Sequence, residues 1–160
     1  MTRTRTYSWG DPVELALASR ATHGLEFSRQ LIAGEQGPTP IFATLGYELT
    51  EVGDGHAVYV GVPGEHVYNP IGTVHGGYAA TMLESAASSA VQSIVPAGIG
   101  YTTLDLSVHY LRPITEHTGP VRAIGNLVNR SRRTALAYVE LRDPTDRLLA
   151  HATSSCLLSV

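Results

Sequence analysis

The segment from Gly76 to Val95 constrains the fold of this chain more than any other, because it has almost no charged face. Small and apolar residues alternate with serines along it, and Glu84 is its only acidic or basic residue. A helix that is apolar or small around its whole circumference belongs in a protein interior. We therefore expect a long central helix over 76–95, in which a carboxylate without a partner would be costly.

The sequence around this helix predicts an antiparallel sheet. Runs of alternating apolar and polar residues, bounded by turn residues, predict strands at 41–53, 56–62, 101–111, 119–130, 134–142 and 147–159. The Asp54-Gly55 pair predicts a hairpin between the first two strands. Short connections between the last four strands favour antiparallel pairing.

The N-terminal part of the chain predicts helix. Asp11 and Pro12 suit a helix cap and a first helical position, so helix is expected to about Ala33, with an interruption near Gly24. We predict that residues 1–10 are a flexible lead-in and that 11–160 form a single domain, which is the size that 160 residues allow.

Composition argues against several classes of partner. A net charge of −3 argues against nucleic acid, and no segment approaches the roughly 20 apolar residues of a membrane span. The single cysteine, Cys156, excludes a disulfide within one chain and is expected to be a small buried residue. Without a signal-peptide pattern, the chain is expected to be cytoplasmic.

The start of the long helix has the residues of a catalytic site. Gly76 and Gly77 lack a Cβ, so a ligand can approach the backbone N–H groups that have no partner at a helix N-terminus. Such groups can stabilise a developing oxyanion. Asn69 and His75 flank them, and Glu84 can serve as a base or a nucleophile. The histidines show no metal-ligand spacing, so no metal is expected.

Helix geometry separates the two halves of this site. Gly77 and Glu84 lie on one face of the helix but about 10 Å apart along its axis. One carbonyl carbon cannot easily contact both. A two-fold dimer with antiparallel central helices would bring Glu84 of one chain to Gly76 and Gly77 of the other, so we predict an obligate dimer with two shared sites.

The pattern Asn69-Pro-x-Gly-x-x-His75-Gly76-Gly77, with Glu84 nine residues after the histidine, resembles the hotdog-fold acyl-CoA thioesterases of the PaaI-like type, from the phenylacetic acid pathway. The likeness runs from about Leu25 to the end of the chain. It implies an α+β hotdog fold, in which a curled antiparallel sheet wraps around a long central helix behind an N-terminal helical segment.

The resemblance also implies roles for individual residues and an assembly. Glu84 matches the catalytic carboxylate and Gly76 the residue whose N–H polarises the thioester carbonyl. It implies that Asn69 places the water or the carbonyl, that His75 supports the oxyanion loop and that Thr103 holds the water. It also implies that Ser88 lies beside Glu84 and that Arg132 and Arg133 bind the coenzyme A phosphates. No cofactor is expected. The expected assembly is a homotetramer built as a dimer of dimers.

Several alternatives stay open at the level of sequence. Glu84 can activate water or attack the thioester directly. The chain could instead be a non-catalytic acyl-CoA sensor or, with less support, a hydratase or dehydratase on the same fold, since a fold does not fix a function. The acyl group could be phenylacetyl, another aryl group or a medium-chain fatty acyl group. Its pocket is expected to be lined by the first helices, at Leu25, Phe27, Leu31 and Ile32, and by the central helix of a neighbour.

Overall fold

The computed structural model describes residues 2–159 and contains four α-helices and six strands within that range. The helices are α1 (Pro12–Ala21), α2 (Gly24–Ile32), α3 (Pro40–Leu45) and α4 (Gly76–Gln92). The strands are β1 (Tyr47–Gly53), β2 (His56–Gly61), β3 (Gly100–Tyr110), β4 (Val121–Arg130), β5 (Thr134–Arg142) and β6 (Leu148–Ser159). Short 3-10 helices lie at Glu65–Val67 and Glu116–Thr118.

All six strands form one antiparallel sheet in the order β1-β2-β4-β5-β6-β3. Helix α4 lies against its inner face and contacts every strand. The predicted hotdog architecture is confirmed, including the buried central helix, the antiparallel pairing and the helical N-terminal segment. The two edges of the sheet are β1 and β3.

Small residues allow α4 to lie close to the sheet. A Cβ placed on Gly125 of β4 would lie 2.2 Å from the Ala86 carbonyl oxygen, so only glycine fits at this contact. Met82, Leu83 and Ala86 of α4 are fully buried. The alanine-rich composition that predicted an interior helix therefore has a direct packing cause.

Two serines of α4 form hydrogen bonds with tyrosines on the strands. The Tyr47 hydroxyl lies 3.0 Å from Ser85 Oγ, and the Tyr59 hydroxyl lies 2.8 Å from Ser89 Oγ. These pairs satisfy hydroxyl groups that burial would otherwise make costly. Burial raises the pKa of Tyr47 to about 12, and it raises the pKa of Tyr59 as well, so both phenols stay protonated in the folded protein.

The prediction of a strand from residue 41 is wrong for its first part. Residues Pro40–Leu45 form helix α3, and the strand begins only at Tyr47. The β-branched and aromatic residues of this run favour a strand. The helix instead follows from Pro40 in the first turn and from Gly46, which ends it with φ 77°.

Other boundaries differ by a few residues. The expected break near Gly24 separates α1 from α2, where a Cβ at Gly24 would lie 1.8 Å from the Gln92 carbonyl oxygen. Helix α4 ends at Gln92 rather than at residue 95. The Asp54-Gly55 hairpin is confirmed, and Gly55 has φ 69°.

Residues 2–10 form neither helix nor strand, but they contact the domain. The Arg5 guanidinium donates to the carbonyls of Ala43 and Thr44 at the end of α3, and Arg3 pairs with Glu65. In the part of the chain from residue 2 to 159, no helix is both long and apolar enough to cross a membrane.

Candidate active site

Glu84 lies half-buried at the wall of a cavity and has one well-defined partner. The Thr103 hydroxyl, from β3, donates a hydrogen bond of 2.7 Å to Glu84 Oε1. The carboxylate is thus held by one donor and is otherwise open toward the cavity, whereas the sequence alone suggested a more completely buried group. This geometry leaves Glu84 available to accept a proton or to attack a ligand.

The cavity at Glu84 has a volume of about 470 Å³ and two kinds of wall. Helix α4 forms a polar wall through Ser85, Ser88, Ser89 and Gln92. The N-terminal helices form the opposite, mainly apolar wall through Leu15, Phe27, Leu31, Ile41 and Phe42. Of the four pocket residues predicted from the sequence, Phe27 and Leu31 line this cavity, whereas Leu25 and Ile32 do not.

The strand residues beside Glu84 are uncharged. The buried Cys156 thiol lies 4.0 Å from the Thr103 hydroxyl, and burial raises the pKa of this thiol. Burial, and after it the neighbouring Glu84 carboxylate, raise the pKa of Tyr101. Cys156 is a small buried residue, as predicted. Ser88 donates to the Ser85 carbonyl at 3.2 Å, so its oxygen can still accept a hydrogen bond from a ligand.

The start of α4 holds the second group of site residues. His75 is the N-cap, and its Nδ1 accepts a hydrogen bond of 2.8 Å from the Gly77 N–H. The Gly77 N–H is therefore used by the helix cap, and the proton of a neutral His75 lies on Nε2. The Gly76 N–H has no hydrogen-bond partner among residues 2–159, so it is the donor that this helix start leaves free for a ligand.

Tyr110, which the sequence analysis did not single out, contacts Gly76. Its hydroxyl donates to the Gly76 carbonyl at 3.0 Å, and its ring lines a cavity of about 360 Å³ at the start of α4. His75 and Gly76 line the same cavity. Nothing in the sequence pattern indicates this contact, because Tyr110 and Gly76 are 34 residues apart and meet only when β3 lies along α4.

Asn69 organises the loop before the helix. Its Oδ1 accepts hydrogen bonds of 3.1 Å from the N–H groups of Ile71 and Thr73, and its Nδ2 donates to the Thr73 hydroxyl at 2.9 Å. Its amide oxygen is thus occupied by the turn. Only the second N–H of its Nδ2 stays available for a water molecule or a carbonyl.

Arg132 and Arg133 lie exposed in the turn between β4 and β5. Their guanidinium groups form no hydrogen bond or ion pair with residues 2–159. Strand register relates this turn to Glu84, because Thr103 pairs with Cys156 and Cys156 pairs with Ala135, just after the turn. The turn therefore lies at the same end of the sheet as Thr103.

The structure does not bring all the predicted residues together within one chain. Glu84, Thr103 and Ser88 share one cavity, and His75 and Gly76 line another. Glu84 is eight positions after Gly76, which corresponds to about 12 Å along α4. One chain thus presents the predicted site residues as two separate groups. No three His, Cys, Asp or Glu side chains of residues 2–159 are grouped so as to hold a metal ion.

Comparison with known proteins identifies the family of this chain. The family model described as the thioesterase superfamily matches residues 71–150, which are half of the chain and include every predicted site residue except Asn69. The chain belongs to the thioesterase superfamily. This thioesterase is 30% identical to a 1,4-dihydroxy-2-naphthoyl-CoA hydrolase of Listeria monocytogenes over 118 residues, which are 73% of this chain and 92% of the relative.

Solved structures are similar to this thioesterase over most of its length. A variant of the phenylacetic acid degradation protein PaaI from Thermus thermophilus is 29% identical, with a TM-score of 0.67, and the match covers 74% of this chain and 97% of that one. A phenylacetic acid degradation-related protein from Ralstonia eutropha is 28% identical, with a TM-score of 0.72 and coverage of 81% and 98%. The protein is a thioester hydrolase with a hotdog fold.

Proposed function

We propose that this thioesterase hydrolyses acyl-CoA thioesters at sites shared between two copies of the chain. The observation that carries the proposal is the pair of groups on α4: a carboxylate held by Thr103 in the middle of the helix, and a free Gly76 N–H at its start. The two groups do the complementary tasks of thioester hydrolysis, which are to activate the nucleophile and to stabilise the oxyanion. The naphthoyl-CoA hydrolase among the relatives supports coenzyme A as the thiol.

An unpaired strand edge supports the shared site. Strand β3 has 11 residues and pairs only with β6 among the strands of residues 2–159, so one row of its backbone groups is free. Proteins protect long edges of this kind, because they readily pair with another chain. Leu104 and Tyr110 on β3 are exposed large side chains that a second copy would cover. Two-fold pairing at this edge brings two sheets, and with them two α4 helices, side by side.

The proposed reaction consumes one water molecule. The thioester carbonyl accepts a hydrogen bond from the Gly76 N–H of one copy, while Glu84 of the other takes a proton from water. The water oxygen bonds to the carbonyl carbon, the carbon–sulfur bond breaks, and the proton moves to the coenzyme A sulfur. The products are a carboxylic acid and coenzyme A. Direct attack by Glu84, with an anhydride intermediate that water then hydrolyses, gives the same products.

The two parts of the substrate have separate places in this proposal. The acyl group lies in the cavity between Glu84 and the apolar wall of the N-terminal helices. The phosphates of coenzyme A lie at Arg132 and Arg133, where guanidinium groups form charge-assisted hydrogen bonds. Membership in the thioesterase superfamily favours hydrolysis over the alternatives of binding without catalysis and of hydration.

Coenzyme A release from a panel of acyl-CoAs tests the proposal. Glu84→Gln is expected to lower kcat by at least about a hundredfold, as for a lost base or nucleophile. Arg122→Ala, a change at a surface ion pair with Asp146, is the control for general effects of substitution. Full activity of Glu84→Gln would refute the role of Glu84. A product from an unsaturated acyl-CoA without coenzyme A release would indicate a hydratase.

Two substitutions at Gly76 isolate its N–H. Gly76→Pro removes the N–H at the first helical position, where proline is compatible with the helix, and Gly76→Ala keeps the N–H. Both add a Cβ that meets the Tyr110 ring at 3.2 Å, so the comparison cancels the effect of the Cβ and leaves the N–H and the proline ring carbons as the difference. We expect Gly76→Pro to have a kcat about a hundredfold below that of Gly76→Ala. Equal values would contradict the assignment.

A mixed dimer distinguishes a shared site from a site within one chain. Glu84→Gln and Gly76→Pro chains carrying different tags are co-expressed, and the doubly tagged species is purified. A shared site leaves one intact pair of residues in each mixed dimer, so about half of the wild-type rate per dimer should return. If each site used a single chain, both sites would be defective and the mixed dimer would be inactive.

A further inference from the structure

A second cavity adjoins the cavity at Glu84. It has a volume of about 490 Å³ and lies between the α2–α3 region and strands β1 and β2. Its walls are largely apolar and include Ile32, Leu49 and Val60. Apolar cavities of this size are suited to hold an apolar part of a ligand. Neither Glu84 nor Gly76 lines it, so the chemistry proposed above does not use it.

The two cavities are separated by residues that line both. These residues are Leu31, Thr39 and Phe42. Phe42 is the largest of them, and its ring packs against two tyrosines that also contact each other. The ring centroid lies 5.1 Å from that of Tyr59, which lines the Glu84 cavity, and 5.2 Å from that of Tyr47, which lines the second cavity.

We propose that Phe42 divides one long acyl tunnel into two compartments and so sets the longest acyl group that this enzyme accepts. The inference rests on the proposed function, because it takes the Glu84 cavity as the acyl site. An acyl group entering beside Glu84 ends at the Phe42 ring. The substrates are therefore short and medium acyl groups that fit the first compartment, and long fatty acyl chains are rejected.

Phe42 can be changed without breaking a side-chain hydrogen bond, unlike the two tyrosines that it contacts. The hydroxyls of Tyr47 and Tyr59 form hydrogen bonds with Ser85 and Ser89 on α4, whereas the Phe42 side chain is half-buried and apolar. Helix α3 has six residues, and none of them is fully buried. A smaller side chain at position 42 is thus expected to join the compartments while the aromatic residues on the strands stay in place.

Substitutions of graded size at position 42 test the partition. The kcat/KM of wild type, Phe42→Leu, Phe42→Ala and Phe42→Trp is measured for straight-chain substrates from butanoyl-CoA to hexadecanoyl-CoA. The ratio of kcat/KM for dodecanoyl-CoA to that for hexanoyl-CoA should rise at least about tenfold in Phe42→Ala, since each methylene buried contributes roughly fourfold in binding. It should rise less in Phe42→Leu and fall in Phe42→Trp.

Ile32→Ala provides the matched control. Ile32 lines only the second cavity, so its truncation alone should leave the length profile of the wild type unchanged. Combined with Phe42→Ala, it should alter the kcat/KM of long substrates only. Phe42→Leu keeps an apolar side chain, which provides a folded variant if Phe42→Ala does not fold.

The outcomes separate this inference from the proposed function. If wild type, Phe42→Leu and Phe42→Ala all hydrolyse acyl-CoAs with the same length profile, the partition is overturned and the acyl-CoA thioesterase proposal stays intact. A wild type that already prefers hexadecanoyl-CoA would also overturn it. Activity that survives in Glu84→Gln would instead refute the proposed site, whatever the length profile.

Discussion

The Tyr110 hydroxyl donates a hydrogen bond of 3.0 Å to the Gly76 carbonyl, and a Cβ at residue 76 would lie 3.2 Å from the Tyr110 ring. Gly76 does not have a positive φ, so its backbone conformation does not require glycine. The close approach of the ring favours it, because the ring would have to shift by a few tenths of an ångström to admit a Cβ. This contact holds the first turn of α4, and with it the direction of the free Gly76 N–H.

Removing the Tyr110 hydroxyl should therefore lower the rate without affecting the fold. We expect Tyr110→Phe to reduce kcat by about three- to tenfold, the equivalent of one net hydrogen bond, with little change in KM. The variant keeps the ring and loses only the hydroxyl, so the melting temperature should change little. In the Gly76→Pro background the substitution should have no further effect on kcat. A kcat loss of the same size in that background would contradict the positioning role.

The Thr103 hydroxyl should matter through its hydrogen bond to Glu84. Thr103→Val keeps the β-branched shape but removes the donor, and we expect it to lower kcat/KM by about ten- to a hundredfold, because hydrogen bonds to charged groups are the stronger ones. Thr103→Ser keeps the donor and should retain most of the activity. Steady-state kinetics of both variants provide the check, and equal activity of the two would show that the hydroxyl is not needed.

The arginines of the β4–β5 turn should affect the binding of coenzyme A and not the chemistry. Arg132→Ala and Arg133→Ala are expected to raise the KM for acyl-CoA by about tenfold together, because they remove charge-assisted contacts to phosphate. The KM for the same acyl group on N-acetylcysteamine, which lacks the phosphates, should not change. An equal rise in KM for both thioesters would show that the arginines do not act through the coenzyme A phosphates.

The contact between Gly125 and α4 predicts a large effect on stability. Gly125→Ala would place a Cβ 2.2 Å from the Ala86 carbonyl oxygen, so the helix must shift away from the sheet. We expect the free energy of unfolding to fall by about 2–4 kcal/mol, as for an overpacked core. Gly53→Ala is the matched control on β1, since its Cβ would meet only the His56 Cβ at 3.7 Å. Urea unfolding of both variants measures the difference.

Alkaline pH should destabilise the fold through Tyr47. Its pKa is raised from 10.0 to about 12 by burial, so below pH 10 it is protonated in both the folded and the unfolded chain. Above pH 10 the unfolded chain loses this proton first, and the stability from Tyr47 falls as pH rises toward 12. Urea unfolding between pH 9 and 11.5 should show a steeper loss in wild type than in Tyr47→Phe. An equal loss of stability with pH in wild type and Tyr47→Phe would contradict the raised pKa of Tyr47.

Most of the fold could be predicted from the sequence, because periodicity and turn residues are local signals. The central helix follows from a long run with a single acidic residue, and the hairpin at Asp54-Gly55 follows from turn chemistry. The helix at Pro40–Leu45 was missed because its residues favour a strand, while its signals lie at the ends, in Pro40 and Gly46.

The sequence by itself determined which residues could take part in the chemistry. Glu84 and Gly76 stand out because an acidic residue is rare in an apolar helix and because glycines at a helix start expose N–H groups. Their separation along the helix could also be computed, since the rise of an α-helix is fixed.

Only the tertiary structure decided what surrounds these residues. The helix cap by His75 leaves the Gly76 N–H as the free donor, Thr103 reaches Glu84 from a strand 19 residues later, and Phe42 lies between two cavities. These are contacts between segments distant in sequence. They depend on strand register, close packing and side-chain direction, which no local pattern in the chain encodes.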